Sequence, residues 1–341
     1  MQNFAGIQSA WIFRLALILF SAVVSTSNFI KYTESPVYIT GTAKDIGPSL
    51  PAVIGNSYIV ASLFKAYSII IYCNKTDIDV LKRSGWLNND TNVHVIEEGE
   101  YPPWSTLPDR LSIGRNKLMA EVRKQMDEKK EDMDNAFLVM MDLDGVIGHI
   151  FNRSVLEGAL VKNDEWDSVS FNRKRYYDIW ALRYKKIDTN CWGYGKDSNR
   201  LVKIIMNDIT QQLATNDGNQ FFPVYSAFNS LAIYKLITTA DCEYNGENKE
   251  PYVISPNGDC EHVAFHKCMR EKNNAKIVID KHFLSTEASW LPPKPKPFPY
   301  RLAFLFTIAG LTLLVVGWYI FKFYFAPKSP KLATGKKSTD V

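Results

Sequence analysis

Two aspartates one residue apart, Asp142 and Asp144, stand at the end of the run AFLVMMDLDG (136–145), in which six apolar residues lead directly into the first of them. Side chains two positions apart leave an extended chain on the same side, so the two carboxylates converge on one point. That arrangement suits a hard divalent cation that also needs phosphate oxygens. Burying an unpaired carboxylate is severely unfavourable, so a metal or a cationic side chain is expected beside them. The same spacing recurs at Asp77-Ile78-Asp79 and Asp132-Met133-Asp134, but only Asp142-Leu143-Asp144 follows a long apolar run and precedes a glycine. The other two pairs are read as solvated charges at a helix start or in a loop. An acidic strand end that caps a neighbouring helix is the structural alternative for the third pair.

The elements that would position this pair follow from the hydrophobic pattern. Short apolar, β-branched runs at VYIT (37–40), SIIIYC (68–73), NVHVIEE (92–98) and AFLVMMD (136–142) read as strands. Helical segments are expected at 50–65, 77–84 and 110–130, the last with Leu111, Leu118, Val122 and Met126 at helical spacing. Alternation of this kind predicts an α/β domain around a mainly parallel sheet, with ligands at the carboxyl ends of the strands. Further on, DCEHVAFHKCMREKN (259–273) reads as a loop passing into a helix, and KIVID (276–280) as a strand leading to His282.

Composition bounds the rest. The chain has 341 residues, 46% hydrophobic and 22% charged, which is ordinary for a globular protein with one large core or two modest ones. Its net charge of +4 is small and no basic face alternates with aromatics, so nucleic acid is not an expected partner. Residues 1–27 hold LALILFSAVV (15–24) between Arg14 and a run of small residues, the pattern of a signal peptide or an uncleaved signal anchor. Residues 301–321 contain a run of twenty residues without a charge (302–321), long enough for a transmembrane helix. Between the body (28–290) and that span, LPPKPKPFPY (291–300) carries five prolines and reads as an extended spacer. The lysine-rich tail (322–341) favours a cytosolic C-terminus, which puts the body on the lumenal or external side of a secretory-pathway membrane, in the Golgi or endoplasmic reticulum. Acceptor tripeptides for N-glycosylation at Asn74, Asn89 and Asn152 permit that topology. Five cysteines without zinc-ligand spacing allow one or two disulfides there, with the pairing left open.

In their order along the chain, ITGTAKDIG (39–47), RLSIGRN (110–116), MDLDG (141–145), YYDIWALR (176–183), FNSLAIYK (228–235) and CEHVAFH (260–266) resemble the nucleotide-sugar glycosyltransferases of the GT-A fold. More loosely they are similar to the family that includes fungal capsule α-1,3-mannosyltransferases. The resemblance covers roughly residues 37–284. It implies a Rossmann-like mixed, mainly parallel sheet flanked by helices, and transfer of a sugar from a GDP- or UDP-linked donor to a glycan or glycoprotein acceptor. It further implies that Asp144 binds Mn²⁺ or Mg²⁺, that Asp142 binds the ribose or a metal-bound water, and that Thr40, Gly41 and Thr42 approach the nucleotide. On that reading Gly41 admits backbone close to the ligand, and Arg115 with Asn116 lies beside the donor. Arg110 is about 140° around the helix from Arg115 and cannot face the phosphates equally.

The same resemblance makes FFPVYSAFNSLAIYK (221–235) the loop that closes over the donor sugar, with Ser230 where the family usually has glycine. Tyr177, Asp178, Trp180 and Arg183 could stack on and hydrogen-bond a sugar, or belong to an ordinary half-buried face. Glu261, at a helix start, would be the general base in an inverting reaction or would orient the acceptor in a retaining one, and it is also placed as a routine helix-dipole partner. His282 would be a third metal ligand, with His262 and His266 as competitors. Two other classes stay open. FLVMMDLDGVI also fits a haloacid-dehalogenase-type phosphatase with Asp142 as nucleophile, although Val146 replaces the usual threonine. A membrane-anchored ectodomain without catalysis fits the topology but leaves the acidic pair unexplained.

Overall fold

The computed structural model describes residues 30–191, 197–247 and 258–285. The expected signal or anchor segment (1–27), proline-rich spacer (291–300), membrane span (301–321) and basic tail (322–341) lie outside the described residues. Among the described residues, no helix is long and apolar enough to cross a membrane.

Eight strands form one sheet: β1 (Pro36–Ala43), β2 (Ala66–Cys73), β3 (Val93–Glu97), β4 (Phe137–Asp142), β5 (Ser168–Asn172), β6 (Phe221–Pro223), β7 (Leu231–Lys235) and β8 (Ile277–Phe283). Their order across the sheet is β3-β2-β1-β4-β7-β5-β8-β6. The pairs β1/β2, β2/β3, β1/β4 and β5/β8 are parallel, β7 runs antiparallel to β4 and β5, and β6 runs antiparallel to β8. The chain therefore steps outward from β1 to β3 and then crosses back to place β4 on the other side of β1. Such a reversal opens a crevice beyond the carboxyl ends of the two strands, where ligands of open α/β sheets bind. Asp142 ends β4 at that crevice.

Alternate residues of the first strands enter different cores, which is why their sequences read as continuous apolar runs rather than alternating ones. Val37, Ile39, Ile69, Ile71, Val139 and Met141 join a cluster with α1 (Leu50–Ala61), α2 (Lys75–Arg83), a single helical turn α3 (Trp86–Asn89) and α5 (Arg153–Val161). Tyr38, Ile70, Tyr72, Leu138 and Met140 join another with Leu118, Met119, Val122 and Met126 of α4 (Leu107–Lys129) and Phe265 and Met269 of α7 (Glu261–Asn273). A third cluster lies under α6 (Ser198–Ala214). Helix α4 starts three residues before the expected Arg110 because Thr106 and Asp109 make a reciprocal capping box.

Two expectations change here. The segment 221–235 is not one loop: its ends are strands, and Leu231–Lys235 is fully buried between β4 and β5. Asp77 is not solvated: it is 3% exposed, its carboxylate accepting the backbone N–H groups of Asp45 (3.1 Å) and Ile46 (3.0 Å) and so anchoring the turn after β1. Cys242 and Cys268 form a disulfide that ties the segment after β7 to α7, while Cys73, Cys191 and Cys260 are buried free thiols.

His262 and His266 are buried on α7, and burial pushes His266 down to about 3 and His262 well below the ordinary histidine range. Each stays neutral when folded but takes a proton in the unfolded chain below about pH 6.5, so acid favours unfolding by up to about 1.4 kcal/mol per pH unit for each ring. Urea midpoints measured from pH 6.5 down to 4 are expected to fall less steeply in His266→Gln than in the natural protein. Equal slopes would remove His266 from this account.

Candidate active site

Thr42 and Asp142 are register partners at the ends of β1 and β4, and the N–H of Leu143 donates to the Thr42 carbonyl at 3.0 Å. Leu143 is buried (1% exposed) between the two aspartates, so its neighbours Asp142 and Asp144 turn the other way, toward the crevice. A Cβ on Gly41 would lie 2.4 Å from the Met141 carbonyl oxygen and 2.6 Å from Leu143 Cγ. Gly41 thus makes room for Leu143 instead of admitting a ligand, which corrects the expectation. Thr40 is likewise corrected: it is fully buried, and its Oγ1 donates to the Val139 carbonyl at 3.1 Å. Of the three, Thr42 alone lines the cavity.

That cavity, about 680 Å³, is walled by the strand ends, α4 and the start of α7, and Asp142, Asp144, Arg115 and Glu261 all line it. Arg115 is 2% exposed. Its Nη2 donates to Asp142 Oδ1 at 3.1 Å, its Nη1 pairs with Glu261 Oε1, and its guanidinium lies 4.9 Å from the centre of the Phe228 ring. The Tyr177 hydroxyl donates to the other oxygen of Asp142 at 2.9 Å. Burial nevertheless pushes the Asp142 carboxyl up to about 7; Arg115 opposes that rise, and the neighbouring Asp144 and Asp178 add to it. Burial also raises Asp144, partly offset by the Val146 N–H that its Oδ1 accepts at 2.9 Å. Asp144 thus caps the short turn Gly145–Ile147 that follows it, and not a neighbouring helix as the structural alternative had it, and it lines the cavity as well.

Several expected residues stand elsewhere. Asn116 exchanges hydrogen bonds with the backbone of Tyr244, donating at 2.9 Å and accepting at 2.8 Å, and is not part of the cavity wall. His282 sits on β8, three strands from β4 and so about 14 Å away across the sheet; its ring is hydrogen-bonded to Asp280 at 2.8 Å and its side chain is 63% exposed. His266 is held between the Ser226 and Tyr234 hydroxyls at 2.9 and 3.1 Å. Arg183 is buried against Asp259 at 2.8 Å, whereas Tyr177, Asp178 and Trp180 do line the cavity. Their segment is neither helix nor strand: Asn229 Oδ1 accepts the N–H groups of Tyr177 and Asp178, each at 3.3 Å.

Arg173 escaped the sequence reading. Its Nη1 donates to Ser230 Oγ at 3.0 Å and its Nη2 to the Val146 carbonyl at 2.7 Å, tying the turn after Asp144 to the start of β7. Ser230 sits at φ +82°, a left-handed conformation that suits glycine better, and its carbonyl accepts the Asp142 N–H at 3.0 Å. In the run Arg173-Lys174-Arg175 nothing distinguishes the buried cation from its two exposed neighbours.

Among the described residues, no group of three or more His, Cys, Asp or Glu side chains could hold a metal ion. The site thus lacks the closed ligand set of a structural zinc centre. Two strand-end carboxylates do fit Mg²⁺ or Mn²⁺, ions that take one or two carboxylates and complete their shells with water and phosphate oxygens. Asp144 and Asp142 are the residues that would hold such an ion.

No family model matches the chain, and no curated protein does. Among solved structures it is similar to S. aureus TarS 1-349 in complex with UDP-GlcNAc, at 13% identity and a TM-score of 0.38 over 75% of this chain and 58% of that one. It is also similar to the mannosyltransferase PcManGT from Pyrobaculum calidifontis in complex with GDP-Man and Mn²⁺, at 10% identity and a TM-score of 0.41 over 77% and 59% of the two chains. A third similarity is to 4-diphosphocytidyl-2C-methyl-D-erythritol synthase from Anaerococcus prevotii, at 10% identity and a TM-score of 0.35 over 75% and 92%. This chain spans less than two thirds of the length of the first two. At these identities and scores the likenesses establish neither a family nor an activity.

Because Arg115 is the buried cation shared by Asp142 and Glu261, removing it strands two carboxylates. Arg115→Met is expected to cost about 3–5 kcal/mol of stability in denaturant unfolding, and Arg115→Met combined with Glu261→Gln markedly less. A double variant at least as unstable as the single one would contradict the shared ion pair.

Proposed function

We propose that this chain is a divalent-metal-dependent glycosyltransferase of GT-A type that moves a sugar from a nucleotide-sugar donor to a glycan or glycoprotein acceptor. The observation that carries the reading is the placement of Asp142 and Asp144 at the carboxyl end of β4, at the point where the strand order reverses, both lining one cavity with Thr42. Asp144 and Asp142 would hold a Mg²⁺ or Mn²⁺ there, which would supply charge neutralisation to a departing diphosphate. The chain's own residues do the rest. Arg115 and Tyr177 each fix one oxygen of Asp142, so that its carboxylate is oriented before any ligand arrives. Lys44 and Arg110 line the same cavity and offer cationic contacts to phosphate, and Tyr72 and Tyr101 offer aromatic surface to a nucleoside.

Glu261 serves this reaction as the anchor of Arg115, a positioning residue, in place of the general base of an inverting reaction or the acceptor-orienting group of a retaining one. The metal set is Asp144 and Asp142 without His282. The placement proposed for the body is lumenal, in a secretory-pathway membrane, and the disulfide Cys242–Cys268 supports an oxidising compartment. Of the three acceptor tripeptides, those at Asn89 and Asn152 are exposed. Asn74 caps α2 as Asn152 caps α5, but it is only half-exposed, its Nδ2 is engaged by Asp77 Oδ2 at 2.9 Å, and it lines the cavity.

In the full-length protein, supplied with Mn²⁺ and a panel of GDP- and UDP-sugars, Asp144→Asn is expected to lower donor hydrolysis or transfer by roughly 10²-fold or more. Asp134→Asn, at an exposed site of the same spacing, is expected to leave it unchanged. Equal losses in both would defeat the assignment. Expression in a eukaryotic secretory host is expected to give a glycosidase-sensitive mass that drops on Asn89→Gln and Asn152→Gln but not on Asn74→Gln. No sensitivity in any of them would remove this support for a lumenal body.

A further inference from the structure

Transfer of a sugar to a hydroxyl releases a proton, and direct displacement at the sugar carbon is helped by a side chain that takes it. With Glu261 paired to Arg115, that side chain has to come from elsewhere in the cavity wall. Asp142 and Asp144 are committed to the metal. Glu98 and Glu100 follow β3, three strands from β4 and so about 14 Å away, beside the tyrosines that offer surface to a nucleoside. Tyr177 spends its proton on Asp142, and His262 and Cys260 are only 1% and 5% exposed. The acidic group left is Asp178, which lines the cavity and is half-buried there.

Asp178 is held in place from several directions. Its Oδ1 accepts the Ala181 N–H at 3.2 Å and its Oδ2 the Asn229 N–H at 3.3 Å, which leaves each oxygen a lone pair for a further donor. The Asn229 side chain accepts the N–H groups of Tyr177 and Asp178 and donates to the Phe171 carbonyl at 2.9 Å, pinning the segment to the end of β5. Asn229 at φ +52° and Ser230 at φ +82° are consecutive left-handed residues. This one strained turn serves both carboxylates, since the Ser230 carbonyl takes the Asp142 N–H and the Asn229 N–H goes to Asp178. Strain spent on orienting two acidic side chains at one cavity points to a function for each.

The order of strands separates their roles. Lys44 follows β1 and Tyr72 belongs to β2, so the contacts offered to phosphate and nucleoside lie on one side of Asp142, whereas Asp178 follows β5, on the other side. A sugar held at the acidic pair thus has its diphosphate toward β1 and its opposite face toward Asp178.

We propose that Asp178 is the general base of the transfer and that the reaction inverts the configuration of the sugar. The acceptor oxygen bonds to the anomeric carbon as the bond from that carbon to the diphosphate oxygen breaks. The electron pair of the broken bond leaves with the diphosphate, and the hydroxyl proton passes to Asp178. This rests on the nucleotide-sugar reading given above and adds to it the base and the stereochemical outcome.

The test uses the full-length protein with Mn²⁺ and the α-linked donors UDP-glucose, UDP-N-acetylglucosamine and GDP-mannose, with water and methanol as acceptors. The natural protein is expected to convert at least one donor in aqueous methanol to the methyl β-glycoside, read by proton magnetic resonance. Asp178→Asn is expected to lower turnover about 10²-fold or more while the calorimetric Kd for UDP or GDP weakens by no more than about threefold. Formation of the methyl α-glycoside by the natural protein would overturn the proposal, and it decides the matter if Asp178→Asn fails to fold. Turnover in Asp178→Asn close to that of the natural protein, or a loss matched by an equal loss of diphosphate affinity, would overturn it too. Diphosphate binding without turnover of any donor would overturn the base alone, and failure to bind either diphosphate would overturn the nucleotide-sugar reading itself.

Discussion

A single buried cation organises this molecule. Arg115 reaches from the middle of α4 to Asp142 on β4 and Glu261 on α7, and so joins three elements distant in sequence at one point beneath the cavity. A guanidinium only 2% exposed is tolerated because two carboxylates and two aromatic rings surround it. Each carboxylate in turn is tolerated because Arg115 is there. The cost of breaking this arrangement from either side constrains α4, α7 and the end of β4 to one relative placement. The acidic pair inherits its geometry from that constraint.

Around this centre the structure spends conformational freedom to orient Asp142 and Asp144. Gly41 gives up a side chain so that Leu143 can turn inward, Ser230 accepts a left-handed backbone so that its carbonyl can hold the Asp142 N–H, and Arg173 fastens the turn after Asp144 to Ser230. None of these three residues lines the cavity. All three act on the direction in which the aspartates point, which is the property a metal and a diphosphate would sense. Strain of this kind gathers where a fold holds a site in a fixed shape.

Strands one to four were legible as elements because β1, β2 and β4 are buried on both faces and β3, though more exposed, keeps its β-branched residues between turns, and the strand-end position of the acidic pair followed from that. The reversal at β1 and β4 comes from the sheet order alone. What escaped depends on contacts between distant segments. The stretch 228–235 carries Asn229 and Ser230 before a short apolar run, a pattern shared by a mobile loop and by a central antiparallel strand, and only the hydrogen bonds from β4 and β5 decide between them. Thr40 and Thr42 look alike in sequence, yet one faces the core and the other the cavity. Asp77 has the local signature of a solvated helix start, and it is buried because the turn after β1 folds down onto it. His282 follows a strand as a metal ligand could, but the sheet order puts two other strands between β8 and β4.

The central claim is that Asp142 and Asp144 grip a divalent ion that grips a diphosphate, and electron paramagnetic resonance of Mn²⁺ tests it most directly. Titrating the full-length protein with Mn²⁺ in the presence of UDP or GDP should deplete the free-ion signal at roughly one ion per chain, and Asp142→Asn combined with Asp144→Asn should restore it. A free Mn²⁺ signal identical in the two proteins at every nucleotide concentration would contradict the account.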